Sequence, residues 1–145
     1  MSEKDSLFMK QALLEAKAAY SEGEIPIGAV IVLNNNIIAR CHNLCERLLD
    51  PTAHAEMQAI TAATAHIGGK YLSECTIYVT VEPCPMCAAA LAWSQIGRVV
   101  YGASEPKRGY TTIASPLLHP KTKVTSGVLT EECGEIMSKF FKKLR

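Results

Sequence analysis

The 145-residue sequence predicts a three-layer α/β/α fold with a mixed sheet between two layers of helices. Three observations carry this. Two aliphatic runs, Gly28–Leu33 and Ile37–His42, flank an Asn-Asn-Asn turn and form a hairpin. After the hairpin, strand-like and helix-like stretches alternate, which requires crossovers packed on the sheet. The first strand is a continuous apolar run, as expected where both faces are covered.

The elements follow in order. Residues 6–21 read as an amphipathic helix, because Met9, Ala12, Leu13, Ala16 and Tyr20 recur at the spacing of one face. Gly23 and Pro26 end it. Gly28–Leu33 is the first strand, Asn34 to Asn36 tolerate left-handed backbone in a tight turn, and Ile37–His42 returns as the second strand. Residues 43–51 read as a loop ending at Asp50-Pro51. A helix is expected from about Thr52 to Ala65, closed by Gly68-Gly69. Cys75–Val81 is the third strand, which Glu82-Pro83 breaks. Cys84–Trp93 reads as a short apolar helix, with Pro83 suited to its start. Arg98–Tyr101 is the fourth strand. In 103–122 Pro116 and Pro120 allow a helical turn or two at most. Val124 begins a fifth short strand. Thr130 is expected to cap a last helix with Cys133, Ile136, Met137, Phe140 and Leu144 on one face. No linker or repeat divides residues 1–145, so one domain is expected.

Composition narrows the function classes. At 48% hydrophobic and 20% charged residues the chain belongs with ordinary globular proteins, not disordered ones. The longest apolar run, Met86 to Trp93, is too short to span a bilayer, and the acidic start Met1–Asp5 is no secretory signal. A cytoplasmic protein with no membrane partner is expected. In that setting the six cysteines, at 41, 45, 75, 84, 87 and 133, point to metal or redox chemistry more than to disulfides. Net charge is +1, but residues 1–60 carry −3 and residues 61–145 carry +4. The last seven residues, from Lys139 to Arg145, hold four cations and no acid. This basic end is either a nucleic-acid footprint or a helix C-terminus whose dipole favours cations, and charge alone favours the second.

The chemistry concentrates in His54-Ala55-Glu56 and Pro83-Cys84-Pro85-Met86-Cys87. Two thiolates and an imidazole suit borderline-soft Zn²⁺, and three protein ligands leave a fourth position open, the mark of a catalytic site. Both groups sit at expected helix starts, where free N–H groups and the dipole favour thiolates. Glu56, two residues from His54, points elsewhere on the helix and suits a proton shuttle beside the metal. Other readings exist. Cys84 and Cys87 alone could be a redox pair. Cys41 and Cys45 could join them in a structural four-cysteine site, which would leave His54 and Glu56 without a role.

His-x-Glu followed by Pro-Cys-x-x-Cys is the signature of zinc-dependent nucleobase deaminases. The chain resembles the bacterial tRNA-specific adenosine deaminases, the TadA family, over nearly its whole length. The resemblance rests on Glu24-Ile-Pro-Ile-Gly-Ala-Val30, Asp50-Pro-Thr-Ala-His-Ala-Glu56, Tyr78-Val-Thr-Val-Glu-Pro-Cys84, Ile96-Gly-Arg-Val-Val-Tyr-Gly-Ala103 and Gly127-Val-Leu-Thr-Glu-Glu-Cys133. It implies a cytidine-deaminase-like fold with five strands, a homodimer with one Zn²⁺ per subunit, and conversion of the wobble adenosine in a tRNA anticodon arm to inosine. Carried over residue by residue, it makes His54, Cys84 and Cys87 the zinc ligands and Glu56 the general acid/base. Asn43 would hydrogen-bond the target base, Glu105, Lys107 and Arg108 would approach the RNA backbone, and Phe141 would touch a splayed nucleotide.

Two departures stand out. Gly109-Tyr-Thr-Thr-Ile-Ala-Ser-Pro116 replaces the family's Gly-Ser-Leu stretch, and Pro85 replaces the usual valine, as in related guanine deaminases. The main alternative is therefore a deaminase of a free base or nucleoside, such as guanine or cytosine. The basic end and Lys107-Arg108 speak for RNA, since a small neutral substrate has no use for them. A non-enzymatic RNA-binding module would not need Glu56.

Overall fold

A computed structural model describes residues 2–145. The strands pair through the first of them. β1 (Gly28–Leu33) lies antiparallel to β2 (Asn36–His42) on one side and to β3 (Thr76–Val81) on the other. β4 (Arg98–Ala103) and β5 (Lys123–Ser126) then add parallel to β3, giving the order β2-β1-β3-β4-β5. The sheet is mixed and five-stranded, as the sequence predicts. Within β1, Ala29 and Ile31 face one layer while Val30 and Val32 face the other, so every position must be apolar.

The first layer holds α1 (Glu3–Ser21) and α5 (Thr130–Lys143), which bury Met9, Ala12, Leu13 and Cys133 against Val30, Tyr78 and Val100. The second holds α3 (Ala55–Ile67) and α4 (Pro85–Trp93), which bury Ala55, Ala59, Ala63 and Leu91 against Ile31, Ile77, Val79 and Val99. Small alanines along α3 let that helix lie close to the sheet. On the other face α1 crosses β1 at Gly28, where a Cβ would strike the backbone of Ala12 and Ala16.

Several boundaries differ from expectation, each for an identifiable reason. α1 starts at Glu3 because the Ser2 hydroxyl accepts the Asp5 N–H at 3.0 Å. The 43–51 loop contains a single turn, α2 (Cys45–Leu48), held by the Glu24 carboxylate, which accepts the N–H groups of Glu46 (3.0 Å) and Arg47 (2.8 Å). α3 starts at Ala55 rather than Thr52, whose N–H donates to the Asp50 side chain at 2.8 Å in an Asx turn. In α4 the proline in the first turn is Pro85, and Pro83 belongs to the extended segment before it. β4 runs on to Ala103, and the 103–122 stretch holds one 3₁₀ turn, Tyr110–Thr112. Thr130 is the first residue of α5, not its cap; Leu129 takes that place in left-handed backbone (φ 55°). Leu144 falls beyond α5 and is 67% exposed, so the buried stripe ends at Phe140.

A half-buried ion pair ties α1 to the sheet. Arg98 donates to both Asp5 oxygens at 2.9 and 2.7 Å, Tyr78 O–H donates to Asp5 at 2.7 Å, and Arg98 also reaches Thr125 on β5 at 2.9 Å. The Arg98 bond, reinforced by Tyr78 and opposed by burial, holds the Asp5 carboxyl down at about 2. The folded value lies below the unfolded one near 4, so the stabilisation is full above about pH 4 and is lost as pH falls through about 2. Asp5→Asn is expected to remove about 2 kcal/mol of stability at pH 7 and to flatten the acid limb between pH 4 and 2, read by urea melts across that range. A pH 7 loss below about 0.5 kcal/mol would refute the coupling.

Candidate active site

The N-termini of α3 and α4 converge on one point. His54 stands just before α3 in extended backbone (φ −69°, ψ 157°), and Cys84 stands just before α4 in the same conformation (φ −72°, ψ 168°). Neither side chain caps its own helix, so both are free to turn towards each other. Cys87 follows in the first turn of α4 and is fully buried. The Cys84 and Cys87 sulfurs lie 3.6 and 3.5 Å from His54 Nδ1, and the three ligand atoms all fall within 4.8 Å of one another. A tetrahedral zinc, with bonds of about 2.3 Å to sulfur and about 2.05 Å to nitrogen, separates such atoms by about 3.6 Å. The residues therefore fit zinc in both donor type and spacing. Cys41 and Cys45 do not join the group, which answers the four-cysteine alternative. All six cysteines are free thiols.

Electrostatics call for a cation at the same point. Hydrogen bonding from Cys87, against burial and with help from His54, brings the Cys84 thiol down to about 4. The Cys84 sulfur and burial together push Cys87 up. Burial above all, then the Cys84 charge, pushes the Glu56 carboxyl up to about 7. Two thiols and a carboxyl compete here for one negative charge, and a divalent cation lets them ionise together.

Glu56 lies in the first turn of α3, is 3% exposed and sits beside Cys87. Its Oε1 is the only buried side-chain N or O atom among the described residues without a hydrogen-bond partner. A buried carboxylate oxygen without a donor is costly, so the atom is a strong candidate to face a ligand.

The remaining residues divide. Asn43 is buried, and its Oδ1 accepts the Ala55 N–H at 2.7 Å, fixing the start of α3 between His54 and Glu56. That bond takes one of the two acceptor positions of the carbonyl and orients the amide, whose NH₂ group remains free to donate to a ligand. The Glu105 carboxylate accepts the N–H groups of Lys107 (3.0 Å) and Arg108 (3.4 Å), and so it shapes its own loop. Lys107 and Arg108 are exposed there. Phe141 packs edge-on against Phe140, with ring centroids 5.4 Å apart, on α5 across the sheet from α3 and α4. It is 41% exposed and makes no contact with the metal-ligand group.

Sequence reasoning missed two buried carboxylates. Glu24 is 1% and Glu82 5% exposed, and each binds backbone N–H groups of a flanking loop. The available signal was an acid set among apolar residues at the end of a doubly buried strand, Val79-Thr80-Val81-Glu82.

Residues 2–103 match the family described as the cytidine and deoxycytidylate deaminase zinc-binding region. The chain belongs to this deaminase family. The deaminase is 49% identical to the tRNA-specific adenosine deaminase of Bacillus subtilis, over 97% of this chain and 91% of that protein. It superposes with a TM-score of 0.83 and 42% identity on a solved structure from a study of A-to-I editing by tRNA:A34 deaminases at the wobble position of transfer RNA, covering 90% of this chain and 98% of that one. The guanine deaminase of Bacillus subtilis is more distant, with a TM-score of 0.67 and 36% identity, covering 80% of this chain and 71% of that one. The zinc-binding region of the family contains both halves of the convergent site, His54-Ala55-Glu56 and Cys84 to Cys87. No helix among the described residues of the deaminase is long and apolar enough to cross a membrane.

Proposed function

We propose that this deaminase converts the wobble adenosine of a tRNA anticodon arm to inosine. The observation that carries the reading is the 49% identity to a tRNA-specific adenosine deaminase over almost the full length of both chains. His54, Cys84 and Cys87 would hold the metal, one ion per subunit. When bound, zinc supplies the Lewis acidity that makes water a usable nucleophile at neutral pH.

The chain's own residues do the rest. Glu56 Oε1, having no protein donor, takes a proton from the attacking water and passes it to N1 of the purine. It then takes the proton of the new C6 hydroxyl and delivers it to the departing amine, while N1 keeps the first proton, so that water and adenosine give inosine and ammonia. The Asn43 NH₂ group donates to the ring, while its carbonyl keeps α3 in register. Lys107 and Arg108 meet backbone phosphates, and Phe141 offers a ring to a splayed nucleotide. The target base lies in a loop already partly unstacked, so extruding it costs at most a few kcal/mol.

Homodimerisation and a cytoplasmic site of action belong to the same proposal. Trp93 at the end of α4 is 84% exposed, with Tyr71 beside it also exposed, which suits a face covered by a second copy. The second reading, deamination of free guanine, draws on Pro85 between the cysteines and on the 36% identity to a guanine deaminase.

The deciding test is inosine formation in an anticodon stem-loop RNA with adenosine at the wobble position, read by mass spectrometry of the nucleosides. Conversion by zinc-loaded protein is expected. Absence of conversion, with guanine turned over instead, would replace the first reading by the second.

A further inference from the structure

The loop that carries Lys107 and Arg108 has no strand or long helix to hold it; it is wound on one buried carboxylate. Glu82 follows directly on β3, and its own N–H donates to the carbonyl of Ala103, the last residue of β4. Its Oε1 accepts the Glu105 N–H at 3.0 Å. Its Oε2 accepts the Thr111 N–H at 3.0 Å and the Thr111 hydroxyl at 2.7 Å. Between these two anchors the Glu105 carboxylate takes the N–H groups of Lys107 and Arg108, and the Glu105 carbonyl takes that of Gly109 at 2.9 Å. Tyr110 N–H donates to the Pro83 carbonyl at 2.9 Å. A Cβ at Gly109 would collide with the Glu82 carboxylate. Among the described residues no cation pairs with Glu82; loop donors satisfy it, and Cys84 follows two residues later.

We infer that Glu82 is a positioning residue for the RNA substrate: it fixes residues 104–112, and with them Lys107 and Arg108, at a set place relative to the metal ligands. The inference rests on the tRNA reading above. A bound polynucleotide engages this loop in the ground state and the transition state alike, so the loop governs binding more than the chemical step.

The test compares zinc-loaded wild type, Glu82→Gln, Gly109→Ala and Thr111→Val on the same adenosine stem-loop. Glu82→Gln puts an amide NH₂ against a backbone N–H and is expected to raise KM about tenfold while kcat stays within about threefold. Gly109→Ala should do the same with the Glu82 charge retained, because its Cβ would strike the carboxylate and push the loop off it. Thr111→Val removes one of the three hydrogen bonds to the Glu82 carboxylate, leaves the two backbone ones in place, and should raise KM about threefold. In a background already carrying Lys107→Ala and Arg108→Ala, Glu82→Gln should add no more than about twofold, because the groups it positions are gone. KM values within twofold of wild type in all three single variants, or a fall in kcat at unchanged KM, would overturn the inference and leave the tRNA reading standing. If wild type itself converts no RNA adenosine, the tRNA reading fails and the inference fails with it.

Discussion

Glu56→Gln is expected to lower kcat for adenosine conversion by about 10³-fold while zinc binding and the fold persist. The side chain is the right length, buried, and unpaired at Oε1 although every other buried side-chain polar atom among the described residues has a partner. Glutamine fills the same volume but can neither take the proton of the attacking water nor pass one to the ring. The fold should persist: the amide keeps the volume of this buried side chain, so the melting temperature should stay within a few degrees of wild type. Kinetics, zinc analysis and thermal melts on one preparation check all three points. Residual activity above about a tenth of wild type would remove Glu56 from the chemistry. Loss of zinc alongside activity would make it a ligand instead.

Stripping the metal with a chelator should take activity to background, while the melting temperature falls by roughly 10 °C and the transition stays cooperative. The reason lies in what joins α3 to α4. The three ligands bridge the two helix starts, but both helices also pack on the sheet through Ala55, Ala59, Ala63, Leu91, Ile77 and Val79, all buried. A chain of 145 residues carries a core of that size without a metal staple. Restored zinc should restore turnover. Cys87→Ala should behave as the stripped protein does, with zinc no longer retained. Loss of the far-ultraviolet helical signal on chelation would show instead that the metal is structural.

The two predictions rest on the part of the molecule most legible in its sequence. His54 and Glu56 are two residues apart, and Cys84 and Cys87 three apart, so each half of the site is local. Each half stands just ahead of an apolar stretch that reads as a helix, although the sequence put the start of α3 at Thr52 and took Pro83 rather than Pro85 as the mark of α4. The strands were equally plain, because covering both faces of a sheet forces the unbroken apolar run seen in β1 and the β-branched and aromatic run of β3, interrupted only by threonines. The last helix was legible over its core stripe of Cys133, Ile136 and Phe140.

Tertiary structure alone decided the polar groups around the site. Asn43 is bonded 12 residues ahead to Ala55, Glu24 reaches 22 and 23 residues ahead to Glu46 and Arg47, and Glu82 reaches 23 and 29 residues ahead to Glu105 and Thr111. No periodicity records such pairs. A hydrogen bond is set by the direction of two atoms after the chain has come together, whereas a buried face is set by which residues are apolar. The one-turn α2, the true start of α3 and the course of the 104–112 loop all hang on those distant acceptors, so they stayed out of reach of the sequence. The two halves of the His54, Cys84 and Cys87 group and the sheet did not, because local spacing and apolar runs mark them along the chain.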